Sequence, residues 1–346
     1  MRFFIGTYTK DTGSAGIYTL DFDTNTESFS VIASTVSDNP SFLAMQDGYI
    51  YAANEIPETG RIESYKINPD GSLSLINFAE FPGCVSCHLT VHPLGNAVYA
   101  ANYGSGNIAA FTLNLDGSIG RRLSLIQHEG SGPNKGRQQH AHAHSVNISP
   151  DGARLIAADL GIDRLMIYGI DPEDGSLSTN EPYPFAGVTP GEGPRHLTYH
   201  PEMKVIYTVT ELKNSILVFD YNSDSGSLKQ KQSISVLPDI FKGSSTAADI
   251  HLSPDNRFLY ASSRGYDGIV SCMVGSDGSL SEAKHYEGFG KTPRNFAVSS
   301  DGEYFIIAYQ NSDSIVAVKR DKVTGGMKEL AADISIPAPV CILQYK

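Results

Sequence analysis

Five side chains give this sequence its clearest chemical potential: His144, Arg195, Glu211, Arg264 and Arg294. A carboxylate or an imidazole can take a proton from water, most effectively when its pKa is drawn toward neutrality. Guanidinium groups can clamp an anion through paired N–H donors or stabilise negative charge that develops during a reaction. Together these groups suit attack of water on a carbonyl, with Glu211 or His144 as the base, Arg195 and Arg264 as anion and oxyanion ligands, and Arg294 adding to the anion site. Glu55 and Tyr103 are weaker candidates for the same lining. The run His140-Ala141-His142-Ala143-His144, if extended, puts all three imidazoles on one side, a pattern that could suit a metal. No neighbouring carboxylate or cysteine completes an open metal site, so neither metal nor cofactor is expected. His144 is assigned instead to proton transfer or anion binding, with His142 as a further substrate-binding candidate. Each arginine also has a structural reading as the partner of a carboxylate that holds the fold, and Asp159 and Asp249 are available for that. No Gly-X-Ser-X-Gly elbow occurs, which argues against a covalent serine mechanism.

These residues are far apart in the chain, and an internal repeat is what can gather them. Asp-Gly-Ser-Leu-type turns recur at Asp70–Leu73, Asp116–Ile119, Asp174–Leu177 and Asp277–Leu280, with weaker copies at Ser225–Leu228 and Thr324–Met327. Asn25-Thr26-Glu27 takes the first place, giving seven turns roughly 50 residues apart, within the range of propeller repeats. A second punctuation, His92-Pro93, Ser149-Pro150-Asp151-Gly152, His200-Pro201, Ser253-Pro254-Asp255 and Ser300-Asp301-Gly302, marks hairpins between alternating apolar runs. Helical periodicity is lacking. The predicted fold is therefore all-β, one seven-bladed β-propeller over residues 1–346 with four antiparallel strands per blade. Phe3–Thr9 reads as a second strand and Pro339–Tyr345 as a first, so the C-terminal segment should pair with the N-terminal blade and close the ring, which removes an open sheet edge.

The hairpin anchors align the blades. Six residues before Pro93, Pro150, Pro201, Pro254 and Ser300 stand Cys87, His144, Arg195, Ala248 and Arg294, at the start of the innermost strands. Ten residues after the same anchors stand Tyr103, Leu160, Glu211, Arg264 and Gln310, at the end of the second strands. In an antiparallel hairpin those two positions are neighbours, so both sets should face one end of the central channel. The long segments Gln127–Ala143, Asn180–Gly193 and Val236–Ala247 join outermost to innermost strands on that face and should wall a funnel.

Composition sets the remaining limits. With 33 Gly, 18 Pro and 18 Tyr among 346 residues, and no Trp, the chain suits short strands and tight turns but lacks the Trp-Asp signature of WD40 blades. A net charge of −12 disfavours nucleic acid and anionic membranes as general partners, while leaving room for a local cationic pocket. The opening Met1–Thr7 lacks the longer apolar core of a signal peptide, and no apolar run reaches the ~18 residues of a membrane span. A cytoplasmic protein, a monomer or at most a weak homodimer, is expected. Four cysteines make no disulfide framework, and the Cys84/Cys87 pair has no second pair to complete a zinc site.

At the candidate residues the sequence resembles the 6-phosphogluconolactonase family of bacterial seven-bladed propellers, relatives of the fungal carboxymuconate lactonizing enzymes. The matching segments are Ala143–Asp151, Gly193–His196, Thr210–Ser215, Ala247–Asp255, Ser262–Arg264 and Thr292–Arg294, and the likeness spans essentially the whole chain. It implies a metal-free enzyme with His144, Arg195, Glu211 and Arg264 in its site, acting on a small anionic lactone. The first expectation is hydrolysis of 6-phosphogluconolactone in the pentose phosphate pathway. Another lactone hydrolysis or a muconate-type cycloisomerisation stays open, as does a propeller that only binds a ligand or a protein. The long Gly-, Lys-, Arg-, Gln- and His-rich segment before His144 departs from shorter relatives and should alter the depth or lid of the pocket.

Overall fold

In the computed structural model, which describes residues 1–281 and 283–345, the predicted repeat appears as seven antiparallel sheets. Six have four strands, and the fourth blade carries a fifth. The innermost strands are Pro40–Gln46, Ser86–Val91, Ala143–Ile148, Pro194–Tyr199, Thr246–Leu252, Pro293–Val298 and Pro339–Gln344. The last of these pairs with Arg2–Thr7, Phe4 opposite Leu343, and so closes the ring as expected. The sole helical element among the described residues is a 3-10 turn at Gln310–Ser312.

Burial follows position in the blade. Second strands such as Ala97–Asn102 and Val205–Thr210 are buried along their whole length, because a neighbouring blade covers each face. Outermost strands such as Ser28–Val36 alternate between half-buried and exposed. The apolar core therefore lies between blades: Tyr207 and Val209 of the fifth pack with Leu259 and Ala261 of the sixth.

The repeated Asp-Gly-Ser turn helps to build these interfaces. Asp116 Oδ1 accepts the Ser118 N–H at 3.0 Å and closes the turn. The Gly117 carbonyl then accepts hydrogen bonds from Tyr51 Oη (3.1 Å) and Ser64 Oγ (2.6 Å) of the preceding blade. Tyr99 reaches Gly175 and Tyr207 reaches Gly278 in the same way, each at 2.9 Å. Gly117 has φ +79°, and a Cβ there would lie 2.3 Å from the Tyr49 ring, so both backbone and packing require glycine.

One feature of the innermost strands positions the candidate residues. Each strand slips register once against its partner, around Ser41, Cys87, His144, Arg195, Ala248, Arg294 and Val340. A β-bulge leaves its extra residue outside the ladder and re-aims the side chain. These bulges include every position found by counting six residues back from the hairpin anchors.

The second long segment departs from the expectation of a continuous loop. Phe185–Gly187 forms a short strand on Arg164–Ile170, beside Leu177–Thr179, so blade four has its outer edge in two pieces.

Candidate functional site

A cavity of about 190 Å³ at one end of the channel is lined by Glu55, Cys87, Tyr103, Arg137, His144, Glu211, Arg264 and Arg294. Six of the eight sequence candidates thus share one wall; Arg195 and His142 stand behind it. Glu211 follows directly on its strand and is 4% exposed. Its Oε1 accepts a hydrogen bond from Arg137 Nη2 at 2.5 Å. Its Oε2 lies 3.0 Å from both Arg195 Nε and Arg264 Nη2. Burial alone would favour the neutral acid, but Arg264, Arg195 and Arg137 outweigh it and hold the carboxyl at about 2. Arg264, depressed to about 10 by burial against the pull of Glu211, remains a cation at neutral pH.

His144 Nε2 lies 3.8 Å from Glu211 Oε2, beyond direct hydrogen bonding, and Nδ1 lies 3.9 Å from Cys87 Sγ. Burial, and then the fields of Arg195, His196 and Arg294, push the imidazole well below its ordinary pKa, so it is neutral at pH 7. Burial likewise raises the Cys87 thiol, which stays protonated. Arg294 donates to Tyr8 Oη at 2.6 Å and lies 3.7 Å from Glu55 Oε1, while Tyr8 Oη donates to Glu55 at 2.9 Å. Burial opposes the charge on Arg294, but Tyr8 and Glu55 sustain it. Four guanidiniums, counting Arg195, against two carboxylates leave the site with a net charge of +2 in a protein of −12.

Arg137 was not foreseen. It projects from the first long segment, whose anchors are buried. His128 bridges Asp159 Oδ2 (2.7 Å) and Tyr168 Oη (2.9 Å). The Gln138 side chain, wholly buried, donates to the Leu160 carbonyl at 2.9 Å and accepts the Asn134 N–H at 3.1 Å. Arg137 also donates to Tyr103 Oη at 3.2 Å. The other two long segments contribute no residue to the cavity wall among the described residues, so only one of the three expected loops walls the funnel. Tyr8 was also missed, although it follows its second strand just as Glu55, Tyr103 and Glu211 follow theirs.

One further reading needs correction. Asp159 and Asp249 pair with histidines rather than with arginines: Asp159 with His128, Asp249 with His196 and His251. Of the three alternating histidines, His140 and His142 lie with ring centroids 4.2 Å apart, and His144 stands apart from that pair. His140 is exposed, His142 stacks on Tyr103 at 4.4 Å and donates from Nδ1 to the Tyr103 carbonyl, and only His144 enters the cavity. Among the described residues no cluster of three or more His, Cys, Asp or Glu side chains is arranged around a common metal position. Nor is any described helix long and apolar enough to cross a membrane.

Comparison with known proteins agrees with this geometry. The family model for lactonases with a seven-bladed β-propeller matches residues 2–344. A Bacillus subtilis protein named 6-phosphogluconolactonase is 33% identical over 345 residues, covering 98% of this chain and 97% of its own. A Formosa agariphila protein of the same name is 30% identical over 343 residues, 96% of either chain. The solved structure of a periplasmic gluconolactonase from Pseudomonas aeruginosa superposes with a TM-score of 0.92 at 30% identity, covering 99% of this chain and 98% of that one. By full-length match, closed seven-blade ring and cationic cavity, the chain belongs to the seven-bladed β-propeller lactonase family.

Proposed function

We propose that the protein hydrolyses an anionic sugar lactone, with 6-phosphogluconolactone the leading substrate and 6-phosphogluconate the product. The observation that carries this reading is the net charge of +2 in a small cavity of an acidic protein, which matches a phosphomonoester dianion. The names of the Bacillus and Formosa relatives support the same substrate.

The gap of 3.8 Å between His144 Nε2 and Glu211 Oε2 suits a water molecule that touches both. In the proposed reaction this water attacks the ring carbonyl and gives its proton to the neutral His144. Glu211, already occupied by three guanidiniums, is a weak base and serves instead to stabilise the imidazolium. Arg264 and Arg137 face the oxyanion of the tetrahedral intermediate and the substrate phosphate. Collapse of the intermediate breaks the ring C–O bond, and the imidazolium returns its proton to the leaving alkoxide. A second reading, hydrolysis of unphosphorylated gluconolactone, is favoured by the likeness to the Pseudomonas gluconolactonase.

Turnover of freshly generated 6-phosphogluconolactone, measured against background hydrolysis and beside gluconolactone, tests both. Phosphate-dependent turnover supports the first reading and equal rates the second. Rates no faster than background with either lactone would overturn hydrolysis of both.

A further inference from the structure

Arg195 is held from below as well as from the cavity. Its Nη1 donates to the Ala248 carbonyl at 2.5 Å and contacts His196 Nε2 at 3.2 Å. A guanidinium offers only donors, so His196 Nε2 must accept and its proton must sit on Nδ1. Nδ1 faces Asp249 Oδ1 at 2.8 Å. The other oxygen, Asp249 Oδ2, accepts from His251 Nε2 (2.8 Å), Asn295 Nδ2 (2.5 Å) and the Phe296 N–H (3.2 Å). Asp249 and His196 are 2% and 6% exposed, and neither lines the catalytic cavity. Both instead border a separate cavity of about 380 Å³ together with His88 and His251.

We infer that Asp249 is a positioning residue for the lactone site: it fixes the His196 tautomer, which orients Arg195 and through it Glu211. The chain Asp249–His196–Arg195–Glu211 thereby couples this second cavity to the first. Only the kinetic readout rests on the lactonase reading. Asp249→Asn keeps the shape but can turn an N–H toward His196 Nδ1. The imidazole proton then moves to Nε2 and faces the Arg195 N–H, donor against donor. His196→Gln supplies a carbonyl to Arg195 whatever stands at position 249, because its amide can turn either way.

The test is the ¹⁵N shift of His196 in histidine-labelled protein, together with lactone turnover, in wild type, Asp249→Asn and the double variant Asp249→Asn/His196→Gln. Wild type should carry the proton on Nδ1 and Asp249→Asn on Nε2. The kcat of Asp249→Asn should fall about 10- to 100-fold, the scale of losing an outer partner of a functional group. The double variant should recover most of it, which a merely structural role for Asp249 does not predict. A wild-type proton on Nε2, or a double variant no better than Asp249→Asn, overturns the inference. Should the wild type hydrolyse no lactone, the function proposed above fails on its own. Calorimetric affinity for inorganic phosphate then replaces turnover: the same fall and recovery supports the relay, and unchanged affinity refutes it.

Discussion

Replacing Glu211 by Gln preserves its shape and removes the one carboxylate shared by three guanidiniums. The carboxylate side chain is 5% exposed, and its partners Arg195 and Arg264 are 3% and 14% exposed, so water can do little to compensate. Removing one member of a buried ion pair costs about 3–5 kcal/mol. The carboxyl pKa, at about 2 against an ordinary 4.5, corresponds to about 3 kcal/mol in favour of the ionised form, in agreement with the lower figure. For a chain of this size that is a fall in Tm of roughly 4–7 °C. Inorganic phosphate should fill the vacated charge and, at about 100 times its Kd, return ~2.7 kcal/mol. It should stabilise wild type less, since there the anion competes with Glu211. Because folding lowers this pKa, the stabilisation is complete above about pH 4.5 and is lost as the pH falls toward 2. Melting curves of both proteins, with and without phosphate, from pH 7 to pH 3, check each point. Equal Tm values at pH 7, or a difference that widens in acid, would refute the assignment of Glu211 as the clamp's counter-charge.

Three other outcomes are expected. With His144 as the base and its pKa well below 6.5, kcat/KM should be level from pH 7 upward and decline only in acid; an acid limb centred at pH 7 would place the base elsewhere. Arg137→Ala, at a side chain 38% exposed, should shift stability by less than about 1 kcal/mol. The same change should weaken the preference for phosphorylated over unphosphorylated lactone by roughly tenfold or more, the scale of one hydrogen bond to a charged group, as read from paired kcat/KM values. Gln138→Ala leaves the Leu160 carbonyl and Asn134 N–H unpaired at a cost of about 1–3 kcal/mol, and limited proteolysis should then cut near Arg137 in the variant before it cuts wild type.

The repeat was legible because its turns answer to two demands at once. Gly117 needs a positive φ and a bare Cα against Tyr49, so the motif recurs wherever one blade meets the next. The hairpin anchors Ser149 and Ser253 are tied to Asp151 and Asp255 two residues on, a local contact that leaves a local signature. Counting from those anchors found His144, Arg195, Glu211, Arg264 and Arg294, since register is fixed within each hairpin. Tyr8 escaped the count because its hairpin is split between the two ends of the chain, Arg2–Thr7 pairing with Pro339–Gln344. Arg137 escaped for a different reason. Its segment is shaped by single buried contacts of Gln138 and His128, and such contacts have no period. His128 and His196 escaped as partners of Asp159 and Asp249 because they are remote in the chain, whereas His251 stands two residues from Asp249 on the same strand, a spacing that could have signalled the pair.

The bulge repeated in every blade separates durability from novelty. A residue outside the ladder contributes no side-chain-dependent pairing, whereas stability resides in the clefts between sheets. Each bulge is thus a socket in which one side chain can be exchanged while the ring stays in register. Four sockets hold Cys87, His144, Arg195 and Arg294; the sixth-blade slip takes in Ala248 together with Asp249, and the other two hold only Ser41 and Val340. Those two are where a relative, or a designed library, can acquire a new substrate by single steps and without first stabilising the scaffold. Diversity within such a lineage should concentrate at a few ring positions while the turns and tyrosines between blades drift slowly.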